Sequence, residues 1–488
     1  MSPNRFAVSL PNLPQELMDN ITSLLQRPAD VSSLSMTCKS VRAATVQCLF
    51  QDITMVWYAD STVERVGGEP KRNGTPRIDC LLRTLLENPE SANYVFTLDF
   101  QIAGYRASRY HKSPHKPQLP TMAASKLYTL LVDNALRRVG PHWTAIHETI
   151  RHGVLNNEFD AVVALVLLLC PRLASLNLGI DILLYNKFLA TILGHALPGQ
   201  TSAFQQLKTP RLGTNTLAAE HTSRFRVEYP RKWPEATLDL PAYLPLFYLP
   251  ALQDVEMSLP WSRYGVSFKW PQLPSPNLKS LRTLHLPECS MEPRDLHKIL
   301  LSTPNLVALK YNCWLFYTKR LDASVLSAAL EPVKNTLKHL EVKLNFWSSE
   351  TVAPGEDDED ERYVDGACSL KNMIALETLS ISACVLAGWW NATARAFADV
   401  LPPNVTSLQL VGDCYWFENF DWQQSQLLAA LRTFVEQEQW KQSTPRLQEI
   451  RVAYTEWEED EELSHLCEQN GLDWYNEVEK AIKRGWDG

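Results

Sequence analysis

Histidine and cysteine are the first residues to search for chemistry, and their spacings here argue against it. His111 and His115 stand four apart, a spacing that can put two imidazoles on one helical face. Pro114 lies between them and no third ligand follows. His142, His147 and His152 stand five apart, so they share no helical face. Surface histidines account for both sets. The ten cysteines include no Cys-x-x-Cys pair, and so no zinc or dithiol motif. Unpaired thiols fit a reducing, intracellular compartment. There is no Gly-rich phosphate loop, no Gly-x-Ser-x-Gly elbow and no His-Glu-x-x-His helix. The expectation is a chain without catalysis, metal or cofactor.

Charge offers a second kind of chemistry. The formal net charge is -8. Glu356, Asp357, Asp358, Glu359, Asp360 and Glu361 form one acidic run, and Glu456 with residues 458–462 forms another. Both read as solvated segments. The most basic patch, Arg106, Arg109, His111, Lys112, His115 and Lys116, reads as a solvated loop. No uniformly basic face suggests nucleic acid as a partner. The longest apolar run, Ala161 to Cys170, is about half of a bilayer span and reads as a buried helix. Met1 to Leu10 lacks the apolar core of a secretory signal. Neither a membrane nor a nucleic acid is expected as a partner.

The side chains left to bind something sit inside a recurring pattern. It reads Pro-x-Leu, two residues, an apolar residue, one residue, another apolar. Copies are Pro171-Arg172-Leu173 with Leu176 and Leu178, Pro250-Ala251-Leu252 with Val255 and Met257, and Pro304-Asn305-Leu306 with Leu309 and Tyr311. Pro403-Asn404-Val405 and Pro445-Arg446-Leu447 begin two more, and Leu281, Leu337 and Leu376 begin copies without the proline. Val95, Leu98 and Phe100 make a weak first copy. Alternation of this kind is a strand with one buried face. Its intervening positions face outward, so Glu256, His285, Lys310, His339, Glu341, Gln409 and Arg451 are the candidate partner-binding residues. They are polar and mixed in charge, which suits a protein partner.

The pattern resembles the strand segment of leucine-rich repeats. Cys289, Asn345 and Cys384 occupy the position where that consensus takes Asn or Cys, and the resemblance implies a structural role for them. Helical stretches precede several copies, so the expected architecture is α/β, an irregular solenoid with parallel strands. Copies from Leu252 onward lie between 25 and 42 residues apart, longer than the usual ~20–29. Between 178 and 252 the pattern lapses. Aromatic clusters follow several strands: Trp314, Phe316 and Tyr317; Phe346 and Trp347; Trp389 and Trp390; and Tyr415 to Trp422. They read first as a buried spine, with any exposed subset as a binding rim.

Residues 10–52 hold a different pattern. Leu17, Ile21, Leu24 and Leu25 recur at helical spacing after Pro14. Pro28 ends that helix, Asp30 is placed to cap a second, and Val41, Ala44, Thr45 and Cys48 continue a third. The run Leu13-Pro14-x-Glu16-Leu17, Ile21, Leu24-Leu25, Asp30-Val31, Leu34, Thr37-Cys38-Lys39, Val41-Arg42 and Leu49-Phe50 resembles an F-box. That resemblance implies a three-helix module that binds a Skp-type adaptor and through it a cullin-RING scaffold. It implies too that Leu13, Pro14, Leu17, Ile21, Leu34, Val41, Leu49 and Phe50 divide between the adaptor interface and the module's own core.

The expected organisation is an F-box over 10–52, a linker and first helical segment over 53–90, and a divergent array over 91–475. Insertions fall near 104–120, 198–245 and 352–364, and a tail covers 476–488. The resemblance points to a substrate-recognition subunit of an SCF-type (Skp–cullin–F-box) ubiquitin ligase with an unknown protein substrate. The alternative is a scaffold that pairs with the adaptor without directing ubiquitination.

Overall fold

The computed structural model describes residues 13–25, 28–58, 77–103, 126–140, 143–183, 187–195, 203–213, 243–258, 268–289, 291–315, 320–346, 363–389, 394–412, 422, 424–454 and 461–478. It is α/β. Contacts divide the chain into two units, the first comprising Met1–Leu217 with Leu249–Leu252, the second Ala218–Tyr248 with Gln253–Gly488.

The first unit opens with helices α1 (Gln15–Ser23), α2 (Pro28–Ser35) and α3 (Lys39–Gln51). Pro14 is the residue before α1, and its carbonyl accepts from the amides of Leu17 and Met18. Pro28 begins α2, so Asp30 lies in the first turn, where its charge meets the positive helix end, rather than at the cap. α1 and α2 both pack on α3. The helix α3 then runs directly into a strand, β1 (Asp52–Tyr58).

β1 pairs in parallel with β2 (Thr97–Ala103), β2 with β3 (Ser175–Leu178), and β3 with β4 (Thr209–Leu212). Two of these strands revise the sequence reading. β1 precedes what looked like the first copy, in the segment read as linker and helix. β4 lies inside 198–245, read as an insertion. Leu207 and Leu212 fill its apolar positions, and Pro210 stands where another leucine is normal. The Thr209 amide donates to the carbonyl of Ala174, just before β3, and the Gly213 amide to that of Leu178 at its end. Amides alternate sides along a strand, so the N–H that Pro210 lacks falls on the side away from β3.

Helices α4 (Ile78–Glu87), α5 (Lys126–Val139), α6 (Thr144–Leu155) and α7 (Phe159–Leu169) pack together in this unit. α7 carries the long apolar run, and every residue from Phe159 to Leu168 is buried. It approaches α6 closely because position 153 is glycine. A Cβ there would lie 2.6 Å from the Cβ of Ala161 and 2.8 Å from the Phe188 ring.

The second unit contains β5 (Asp254–Met257), β6 (Thr283–Cys289), β7 (Ala308–Leu315), β8 (Leu321–Asp322), β9 (His339–Phe346) and β10 (Val364–Asp365). It continues with β11 (Thr378–Ser382), β12 (Ser407–Val411), β13 (Glu449–Tyr454) and β14 (Asp473–Val478). All pair in parallel. β8 and β10 form a small separate sheet, and the others pair in chain order. β14 crosses the boundary at 475 that the sequence reading drew before a tail.

Helices precede many strands, among them Pro293–Leu300 before β7, Ala323–Leu330 before β9 and Glu461–Gln469 before β14. Asp322 caps the second, its carboxylate accepting from the amides of Ser324 and Val325 at 3.0 Å each. The apolar positions of every copy named above are buried, from Val95, Leu98 and Phe100 to Leu447, Ile450 and Val452.

A main-chain device sets the register. Before six strands of the second unit, one carbonyl accepts two successive amides from the next copy: Gln253 from Arg282 and Thr283, Arg282 from Val307 and Ala308, Val307 from Lys338 and His339. Lys338, Glu377 and Thr406 continue the series. The proline-asparagine dipeptides add a side-chain rung. Asn305 donates to the Lys279 carbonyl at 2.9 Å and Asn404 to that of Ile374 at 2.6 Å. Cys289 and Cys384 are buried.

Candidate functional site

Strand alternation brings most of the candidate side chains of the second unit onto one line. Register joins Glu256 to His285, His285 to Lys310, Lys310 to Glu341, Glu341 to Ser380, Ser380 to Gln409, and Gln409 to Arg451. Tyr475 follows Arg451. His339 is the exception. It lies in the neighbouring row, between Ala308 and Thr378.

The row is laced with short polar contacts. His285 Nδ1 lies 3.4 Å from Glu256 Oε1. Glu341 takes Lys310 at 3.4 Å on one oxygen and Lys343 at 3.6 Å on the other. Ser380 donates to Gln409 at 2.9 Å. Arg451 donates to Glu449 at 2.9 Å and lies 4.8 Å from the Tyr475 ring centroid. Ser407 donates a short hydrogen bond to the other oxygen of Glu449. The Arg451 hydrogen bond, with that of Ser407, holds the Glu449 carboxyl below the usual range against the opposing effect of burial. These groups spread along a line instead of converging on a point. Such a face suits contact with an extended partner better than stabilisation of one transition state.

The same row exists in the first unit, where the sequence reading named no candidates. Register aligns Thr54, Asp99, Asn177 and Arg211. Asn177 donates to Asp99 at 2.9 Å and Gln101 donates to its other oxygen at 3.3 Å. Burial nevertheless raises the Asp99 carboxyl above its ordinary value. Asp99 and Asn177 occupy the same outward positions as Glu256 and His285, so the alternation already recognised at Val95 and Leu173 carried the signal. Arg211 was hidden with β4.

The N-terminal helices arrange their leucines differently from a simple core stripe. The packed side of α1 is Met18, 2% exposed, and Thr22, whose hydroxyl lies 3.4 Å from Cys48 Sγ on α3. Leu17 is 47% exposed and Leu24 79%. Helical spacing puts both on one face with the half-buried Ile21. Met36, just after α2, is 76% exposed. Among the motif residues Val41 is buried in the module, Pro14 is exposed, and Leu13, Leu34, Leu49 and Phe50 are half-buried.

Other sequence candidates divide. His147 is half-buried on α6, where burial lowers its pKa; His152 is exposed and hydrogen-bonds Asn156 at 2.9 Å. Trp389 and Trp422 are buried, and the Trp422 indole donates to the Gly388 carbonyl at 2.7 Å. The remaining residues of the aromatic clusters lie outside the described side chains, and the 106–116 patch and the 356–361 run lie outside the described residues. Among the described residues no group of histidine, cysteine and carboxylate side chains could hold a metal. No described helix is long and apolar enough to cross a membrane.

No protein-family profile matches the chain, and no curated protein matches it. One solved structure that aligns with it is the crystal structure of the Rad7 and Elc1 complex in yeast. The alignment covers 90% of this chain and 87% of that one, at 10% identity and a TM-score of 0.30.

Proposed function

We propose that this chain is the substrate-recognition subunit of an SCF-type ubiquitin ligase. In this reading the three N-terminal helices form an F-box that docks a Skp-type adaptor, which bridges to a cullin-RING scaffold. The repeat units hold a protein substrate. The chain performs no chemistry itself. It raises the effective concentration of substrate lysines beside the loaded conjugating enzyme, inside the cell.

The observation that carries the reading is the outward apolar face of α1. Leu17 and Leu24 stand exposed on a module that already has a packed side. They belong to the run of motif residues that resembles an F-box. Large apolar groups of this kind gain when a partner removes them from water. The polar row across the strands supports the second half, since it offers hydrogen bonds and ion pairs to a protein surface.

The test is co-expression of the full chain with a Skp-type adaptor. Wild type retains the adaptor through purification. Leu17→Ser with Leu24→Ser weakens it by roughly tenfold or more, since a few buried apolar anchors dominate such interfaces. A well-folded wild type that captures no adaptor removes the ligase reading. Captured adaptor with no ubiquitin transfer to any bound protein leaves the scaffold alternative instead.

A further inference from the structure

We propose that α5 carries a second docking face, and that its occupant is an acidic amphipathic helix of a partner protein. The contact is separate from the adaptor contact on α1 and does not depend on it.

α5 is apolar on two sides. Tyr128, Val132, Ala135 and Leu136 are buried, and the helix packs on α4, α6 and α7. Leu127 and Leu130 stand away from that core, 65% and 51% exposed, with Leu131 half-buried beside them. Spacings of three and four residues set these leucines on one stripe, which continues through the exposed Asn134 to Arg138. A surface helix ordinarily turns one apolar stripe to the core, whereas a helix apolar on all sides is covered on all sides. The neighbouring helices keep to the single stripe. The described exposed residues of α4 are Cys80, Arg83 and Glu87, and those of α6 are Thr144, Glu148, Thr149 and His152. None of these is aliphatic.

Charge selects the occupant. Lys126 at one end of α5 and Arg137 and Arg138 at the other are exposed, and no acidic side chain among the described residues pairs with them. The one acid of the helix, Asp133, is engaged by Arg151 at 2.6 Å. Residues 104–125, which precede α5, add four lysines and arginines and no acid. The face is therefore a leucine stripe that ends in unneutralised guanidinium groups. A basic partner is repelled at that end, and a purely polar one leaves the leucines without apolar contacts. An acidic helix with its own apolar stripe meets both demands. Its apolar side chains pack on Leu127, Leu130 and Leu131, and its carboxylates reach Arg137 and Arg138, whose planar forks suit them. An anionic bilayer would match the charge, but the ridges of one helix fit the grooves of another.

The test uses the full chain and a fluorescein-labelled helical peptide as long as α5. The probe has leucines at three- and four-residue spacing and glutamates toward one end. One control replaces each glutamate by lysine, the other each leucine by serine. At low salt the probe binds at least about tenfold more tightly than either control. A Leu127→Ser/Leu130→Ser chain with an unchanged circular dichroism melt loses roughly tenfold in probe affinity. Should that variant fail to fold, Arg137→Gln/Arg138→Gln keeps the test open, since it binds probe and lysine control alike. No binding of the probe overturns the proposal, as does equal binding of the lysine control or wild-type affinity in a folded variant. Retention on phosphatidylserine vesicles in place of the probe assigns the face to a membrane surface and overturns it too. Adaptor capture is scored on the same preparations, and both variants keep it. A variant that loses adaptor and probe together shows that the adaptor covers α5, which removes the separate site. A wild type that captures no adaptor but binds the probe sinks the ligase reading alone.

Discussion

Gly153 shows how one missing methyl sets an element pair. A Cβ at 2.6 Å from that of Ala161 cannot be accommodated without moving α6 or α7, and α7 is buried along its length. Gly153→Ala is expected to destabilise the first unit by about 1–3 kcal/mol, as overpacking does, read as a lower urea midpoint at unchanged slope. Glu449 makes a pH prediction. Its carboxyl is held below 4.5 in the folded chain, chiefly by Arg451. A depressed acid contributes stability that is present above its unfolded pKa and is lost as pH falls through the folded one. Arg451→Gln should therefore cost up to about 1 kcal/mol at pH 7, as half-exposed pairs do. The gap between variant and wild type should close in melts taken well below pH 4.5. A constant gap across that range would show that the arginine acts by packing on Tyr475 instead.

At the scale of elements, the question is which side of α1 holds it down. Met18→Ala should cost about 2–4 kcal/mol, because a side chain 2% exposed leaves a cavity. Leu17→Ser with Leu24→Ser should shift the melting temperature little, since surface changes usually stay within about 0.5 kcal/mol each. The reverse order in a thermal melt would place the leucines in the core. Periodicity identified α1 but not its orientation. Leucine at helical spacing looks the same whether it faces a neighbour within the chain or one outside it, and the packed side here is built from a methionine and a threonine. Strands were legible wherever the apolar alternation was complete, because burying one face of a strand leaves that pattern in the residues themselves. β4 escaped because Pro210 reads as a breaker unless the missing amide is known to be unneeded on that side. β1 escaped because it follows α3 with no turn between them. The candidate row was legible for the same reason as the strands, and Asp99 and Asn177 show that the rule extended further than its first application.

At the scale of the whole molecule, the repeats within each unit rest on their neighbours through main-chain bonds and inward leucines, so protection should be graded rather than uniform. Native-state hydrogen exchange is expected to show slower exchange at β7 and β9, which have partners on both sides, than at β14, which among the described residues pairs only with β13. Equal protection throughout the second unit would mean that it opens as one block. The paired acceptance of two amides by a single carbonyl carries a practical consequence. Strand order is fastened by peptide groups, which every substitution other than proline preserves, and it is fastened at the starts of the strands that share this device. The opposite ends are left unfastened by this device, so they are the natural places to graft a reporter, an epitope or a protease site without disturbing the stacking of the repeats.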